Sequence, residues 1–186
     1  MRKYRKPYKE RVKLQYTVKF ITDFVVAVCL AYFLMITFGE RYTIVGNSMK
    51  DGLSNNDIVL INKAVYKFKD PGRFDVILFR ADGINEGKLY VKRVIALPGE
   101  TVSIQKGKIY VNDMLLVNDV SEVEVLTPGL AAGKVTLGEN EYFVLGDNRN
   151  NSEDSRFYTI GNVKSENIIG QPWLKVYPFN TFGLVE

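Results

Sequence analysis

Apolar and polar positions divide the chain near residue 39. Residues 20–38 read FITDFVVAVCLAYFLMITF, with Asp23 as the one charge and none from Phe24 onward. A bilayer-spanning helix needs about 20 mostly apolar residues, so the run predicts a transmembrane anchor. A soluble core helix would show a polar face, and none is visible here. Beyond residue 39 the pattern is that of strands, at 41–45, 57–63, 74–80, 89–97, 101–105, 108–112, 134–146 and 173–177, bounded by Gly, Pro, Asn and Asp. Lys106-Gly107 between two of these runs predicts a tight hairpin. Residues 118–139, with Thr127-Pro128-Gly129-Leu130-Ala131-Ala132-Gly133, read as a surface excursion. The expected fold is mainly β, an antiparallel barrel or sandwich-like domain over 39–186 behind one N-terminal transmembrane helix.

Charge orients this arrangement. The formal net charge is +4, but residues 1–19 carry Arg2, Lys3, Arg5, Lys6, Lys9, Arg11, Lys13 and Lys19 against Glu10. A basic tail abutting an apolar span predicts a cytoplasmic N-terminus and an extracytoplasmic C-terminal domain, in a single-pass protein of the cell membrane. A nucleic-acid-binding tail is the rival, and the adjoining span argues against it. The run is long for a cleavable signal peptide, and Thr37-Phe38-Gly39-Glu40-Arg41 offers no small-x-small cleavage site. Cys29, the one cysteine, lies within the span, which excludes a disulfide or a cysteine nucleophile after residue 39. There is no histidine and no metal-ligand spacing, so neither metal nor cofactor is expected.

Without histidine, a nucleophilic serine needs a lysine or carboxylate as its base. Gly46-Asn47-Ser48-Met49-Lys50 half-matches the G-x-S-x-G elbow, lacks its second glycine, and has no histidine to complete that mechanism. Ser103-Ile104-Gln105-Lys106 matches S-x-x-K formally, but at a hairpin and without the partner motifs. Lys92 lies inside the apolar run 89–97. A lysine there is either solvent-facing or desolvated, and only desolvation lowers its pKa enough to make it a base. Strand alternation puts Lys92 opposite Val91 and does not choose between the two. Gly146-Asp147-Asn148-Arg149-Asn150-Asn151-Ser152-Glu153-Asp154-Ser155-Arg156 follows an apolar strand directly. It reads either as a solvated turn or as a buttress of acid–arginine pairs around a site.

Taken together, four segments resemble the type I signal peptidases, membrane-anchored serine–lysine proteases. They are Gly46-Asn47-Ser48-Met49, the stretch 73–79, Tyr90-Val91-Lys92-Arg93-Val94-Ile95-Ala96-Leu97-Pro98-Gly99-Glu100, and 146–156, which fits G-D-N-R-x-N-S-x-D-S-R at each specified position. The compact size is similar to the enzymes of Gram-positive bacteria. The resemblance implies Ser48 as nucleophile, Lys92 as general base and Ser152 as a hydrogen-bond partner of that lysine. Asp147 with Arg93 and Asp154 with Arg156 would be buttressing pairs. Met49, Tyr90 and Val91 resemble residues that line pockets for small side chains before the scissile bond. The Ser48 N–H would serve the oxyanion hole, while Gly46 replaces a serine that adds a donor in some relatives.

The implied activity is removal of N-terminal signal peptides from exported preproteins through an acyl-enzyme. Pilins and secretion-machinery proteins are candidate partners. One departure stands out: the family usually continues S-M-x-P-T, and this chain has Ser48-Met49-Lys50-Asp51-Gly52. Loss of a fixed-φ proline predicts a looser turn after the nucleophile. A rival reading is a membrane-anchored chaperone or assembly factor on the same fold with weak or no proteolysis.

Overall fold

A computed structural model describes residues 8–50, 52–82, 86–121 and 123–185. The chain forms two units, Met1–Gly39 and Glu40–Glu186. The first is a helix, α1 (Tyr8–Phe38). It starts well before the apolar run, because lysine, glutamate, leucine and glutamine are strong helix formers whether or not they suit lipid. Within it Val12–Phe33 is long and apolar enough to cross a membrane. At about 1.5 Å per residue that stretch matches a hydrocarbon core of about 30 Å. The Thr17 and Thr22 hydroxyls donate to the Lys13 and Val18 carbonyls at 3.0 and 2.9 Å, so neither needs water. The basic residues Arg2, Lys3, Arg5 and Lys6 lie outside the described residues.

The second unit is built of β1 (Gly39–Thr43), β2 (Ile58–Asn62), β3 (Val76–Arg80), β4 (Leu89–Ala96), β5 (Thr101–Gln105), β6 (Lys108–Val111), β7 (Met114–Leu115), β8 (Val135–Thr136), β9 (Glu141–Leu145), β10 (Val163–Lys164), β11 (Ile168–Tyr177) and β12 (Gly183–Leu184). The larger sheet runs β1-β2-β11-β3-β4-β9-β10, with β12 beside β11, and the smaller runs β7-β6-β5-β8. The pairings from β2 to β10 across the larger sheet, and all those of the smaller, are antiparallel. The architecture is therefore the expected mainly antiparallel one.

Local chemistry explains where elements start and stop. Lys106 and Gly107 both have positive φ, 49° and 74°, the geometry of a two-residue hairpin turn between β5 and β6. β3 begins two residues later than the apolar pattern suggests, because Phe74 is held at φ 72°. That conformation is disfavoured for a bulky residue. It is sustained by the Phe74 N–H donating to the Val94 carbonyl and by Arg93 Nη1 donating to the Phe74 carbonyl, both at 2.8 Å. β11 begins five residues before the expected 173, ahead of Pro172. Its pairing with β3 ends at Gly170, so the missing proline N–H leaves no β3 partner unserved. The two-residue strands β7, β10 and β12 are too short to show a period.

The larger sheet is covered on both faces, which is why β3 reads as a continuous apolar run. Val76 and Leu78 pack with Ile44, Met49, Leu53, Val59, Ile61 and Val91. Ile77 and Phe79 pack on the other side with Val94, Tyr142, Val144, Ile160 and Val163. A third cluster joins Val102, Ile104, Ile109 and Val111 of the smaller sheet to Ile95, Phe143 and Leu145. Within residues 118–139, Val125, Ala131 and Leu137 are buried in that third cluster. Phe143 has no exposed surface. Phe143→Ala is expected to lower the unfolding free energy by about 3–5 kcal/mol, read as a lower urea midpoint at unchanged m.

Candidate active site

Ser48 lies in the turn that links β1 to β2. Gly46 enters it at φ 90° and donates its N–H to Asn55 Oδ1 at 2.8 Å. Met49, directly after Ser48, is only 2% exposed and anchors the turn in the core. The Leu53 N–H donates to the Met49 carbonyl at 2.7 Å. From the far end of the sequence, the Asn148 N–H donates to the Ser48 carbonyl at 3.0 Å, and Asn148 Nδ2 to the Asn47 carbonyl at 3.1 Å. The Ser48 N–H makes no hydrogen bond among the described residues, which leaves it able to stabilise an oxyanion.

Beyond Met49, Lys175 Nζ donates to the Gly52 carbonyl at 3.0 Å and pairs with Asp57 at 2.8 Å. Asp57 in turn accepts the Ser54 N–H at 2.9 Å. Gly52 is thus tied down from a distant strand even though the family's usual proline is missing. Asp51 lies outside the described residues.

Lys92 occupies the middle of β4, paired across from Ile77 of β3, and is 2% exposed. Its Nζ lies in hydrogen-bond contact with Ser48 Oγ at 2.5 Å and 5.7 Å from the centre of the Tyr90 ring. Burial pulls its pKa down from 10.5 to about 8, against the raising influence of Asp154, Glu153 and Asp147; Arg156 lowers it slightly. At neutral pH roughly one molecule in ten therefore holds a neutral amine that can accept the serine proton.

The polar run at 146–156 is a buried brace. Arg93 donates through Nε and Nη2 to the two Asp147 carboxylate oxygens at 2.8 Å each. Arg156 grips Asp154 in the same bidentate way, also at 2.8 Å, and Asp154 accepts the Gly146 N–H at 3.1 Å. Arg149 pairs with Asp119, and its Nε donates to the Gly146 carbonyl at 3.1 Å. Arg156 Nη2 donates to the Arg149 carbonyl at 2.6 Å, locking the two arginines together. Such pairs add little net stability, because desolvation offsets attraction, but their directional bonds fix geometry. A Cβ on Gly146 would collide with both Ser152 Oγ and the Ser48 carbonyl, so only glycine fits there.

Of the residues expected at the site, Ser48, Lys92, Met49, Tyr90 and Val91 line one cleft of about 350 Å³. Asp147, Arg93, Asp154 and Arg156 form the expected pairs. Ser152 differs from the expectation. Its Oγ is buried without a hydrogen-bond partner, packed against Gly146, while the Lys92 amine is engaged by Ser48. Arg149, Asn148, Tyr42 and Ile44 were not anticipated. Arg149 stands within the polar run and was open to detection, whereas its partner Asp119 carries no pattern. Tyr42 lines the cleft and caps β4 by donating from its hydroxyl to the Leu89 carbonyl at 3.2 Å.

The family model described as signal peptidase, peptidase S26, matches residues 17–177. The chain belongs to this family. A signal peptidase I of Leptolyngbya laminosa is 34% identical over 165 residues, covering 84% of this chain and 78% of that one. A signal peptidase I of Bacillus caldolyticus is 33% identical over 174 residues, covering 84% and 90%. A crystal structure of a signal peptidase I from Enterococcus faecalis V583 shares 35% identity, covering 55% of this chain and 97% of that one, with a TM-score of 0.45. Membership makes the protein a serine endopeptidase.

A lysine whose native pKa lies below its unfolded value destabilises the fold wherever both states are charged. For Lys92 that cost is full below about pH 8 and disappears as pH rises to 10.5. Lys92→Met is therefore expected to unfold at higher temperature than the parent at pH 7, with an advantage of about 2–3 kcal/mol that vanishes above about pH 10. Asp154→Ala, by stranding a buried arginine, is expected to cost about 3–5 kcal/mol in the same melts.

Proposed function

We propose that the protein removes N-terminal signal peptides from exported preproteins with a Ser48/Lys92 dyad, at the outer face of the cytoplasmic membrane. The observation that carries this reading is the buried Lys92 amine 2.5 Å from Ser48 Oγ, at a pKa near 8. Neutral Lys92 takes the hydroxyl proton as Ser48 Oγ attacks the carbonyl before the mature sequence. The Ser48 N–H stabilises the developing oxyanion. The ammonium then gives its proton to the leaving amine, which departs as the new N-terminus. Lys92, neutral again, activates a water that releases the signal peptide from the acyl-enzyme.

Among the described residues, Leu89–Lys92 of β4 have a strand neighbour on the β3 side alone, since β9 pairs with β4 only from Arg93 onward. An extended substrate adds there as a further strand, its alternate side chains entering the cleft beside Met49 and Val91. Anchored by α1 with the N-terminus in the cytoplasm, the enzyme meets membrane-bound preproteins in one plane, which raises their effective concentration.

Purified full-length protein in detergent, incubated with preproteins that include a pilin, is expected to yield new N-termini readable by sequencing. Ser48→Ala and Lys92→Ala are each expected to lose at least about a thousandfold in rate. Unchanged cleavage by either variant would remove the dyad assignment, and no cleavage by the intact protein would favour a chaperone role. The rate at limiting substrate is expected to rise about tenfold per pH unit below pH 8 and level off above it, because the reactive amine is the deprotonated form.

A further inference from the structure

A second groove adjoins the dyad. It has a volume of about 600 Å³ and is lined by residues 150–153 and 157–159, none of which lines the first cleft. The two are joined at one point, where the Tyr90 hydroxyl donates to Glu153 Oε2 at 3.1 Å. Ser152, at the head of the groove, carries a buried hydroxyl with no partner. Gly146 brings that hydroxyl and the Ser48 carbonyl against the same Cα, so the groove starts beside the nucleophile. Glu153 is solvent-exposed there, and Tyr158, 87% exposed, presents its ring in the same groove. A carboxylate beside an open aromatic face is complementary to a cationic side chain.

We propose that the groove holding Ser152, Glu153 and Tyr158 binds the substrate residues that follow the scissile bond and selects preproteins with lysine or arginine among the first three of them. Glu153 is the specificity-determining residue. This rests on the proteolytic reading above and deepens it.

The test uses full-length protein in detergent and peptides that are identical up to the scissile bond. Lysine, glutamine or glutamate is placed at each of the three positions after it. At low salt the lysine peptide is expected to be cleaved about fivefold more efficiently than the glutamate peptide at the best position, with a smaller ratio in high salt. Glu153→Gln is expected to bring that ratio to about one, and Glu153→Lys to invert it. Because Glu153 also bears on the Lys92 amine, its substitution changes the rates of all peptides together, and the ratio is free of that effect. Binding of the same peptides to the Ser48→Ala chain, followed by fluorescence anisotropy, is expected to show the same order.

A ratio near one in the intact protein, or a ratio unmoved by both substitutions, would overturn the proposal. Absence of cleavage by the intact protein would instead strike at the proteolytic reading, and the binding order would still decide the groove's preference.

Discussion

The site depends on keeping one amine dry. In the proposed dyad, water would hold Lys92 protonated and useless as a base, so its place in the middle of a strand, under Tyr90 and against the Ser48 turn, is the condition for that chemistry. Dryness alone is unstable, since a desolvated amine beside carboxylates recovers its proton by attraction. The neighbouring Asp147 and Asp154 are each gripped by both nitrogens of an arginine fork. Each such grip spends negative charge that would otherwise fall on the lysine. The arginines thus act on the electrostatics of the dyad as well as on its shape.

This arrangement needs buried ion pairs, and buried ion pairs need a frame that does not relax. Part of that frame is the smaller sheet, whose side chains join Phe143 and Leu145 of β9 in one cluster. β9 leads straight into Gly146, so the packing of Phe143 and Leu145 bears on where the adjacent Ser48 carbonyl can rest. The pairing of Arg149 with Asp119 and the bond from Arg156 to the Thr127 carbonyl then stitch the polar run to residues within 118–139.

Much of this was legible in the residues. The strand alternation at 101–105 and 108–111 and the Lys106-Gly107 turn are local, and the structure follows them. The density of acid, arginine and hydroxyl at 146–156 made a brace one of two readings because those groups are contiguous in sequence. What stayed hidden is long-range. Nothing around Lys175 points to Gly52, and nothing around Asp119 points to Arg149, because each contact joins residues that the topology alone brings together. The early start of α1 was missed for another reason: hydropathy reports where a helix suits lipid, and the backbone coils wherever propensity allows. The strained Phe74 shows a tertiary contact overriding an apolar run that otherwise reads as strand.

The half of β4 that is paired on one side only among the described residues carries a further consequence. A strand edge hydrogen-bonds only with a backbone that is itself extended and unpaired, so the surface of a folded domain offers it nothing. A catalyst built on such an edge discriminates by conformational state before it discriminates by side chain. Under the proposed strand addition, its window on an exported chain closes when that chain folds, and the same edge would work as a clock, tying bond cleavage to the brief interval in which the emerging polypeptide is still loose.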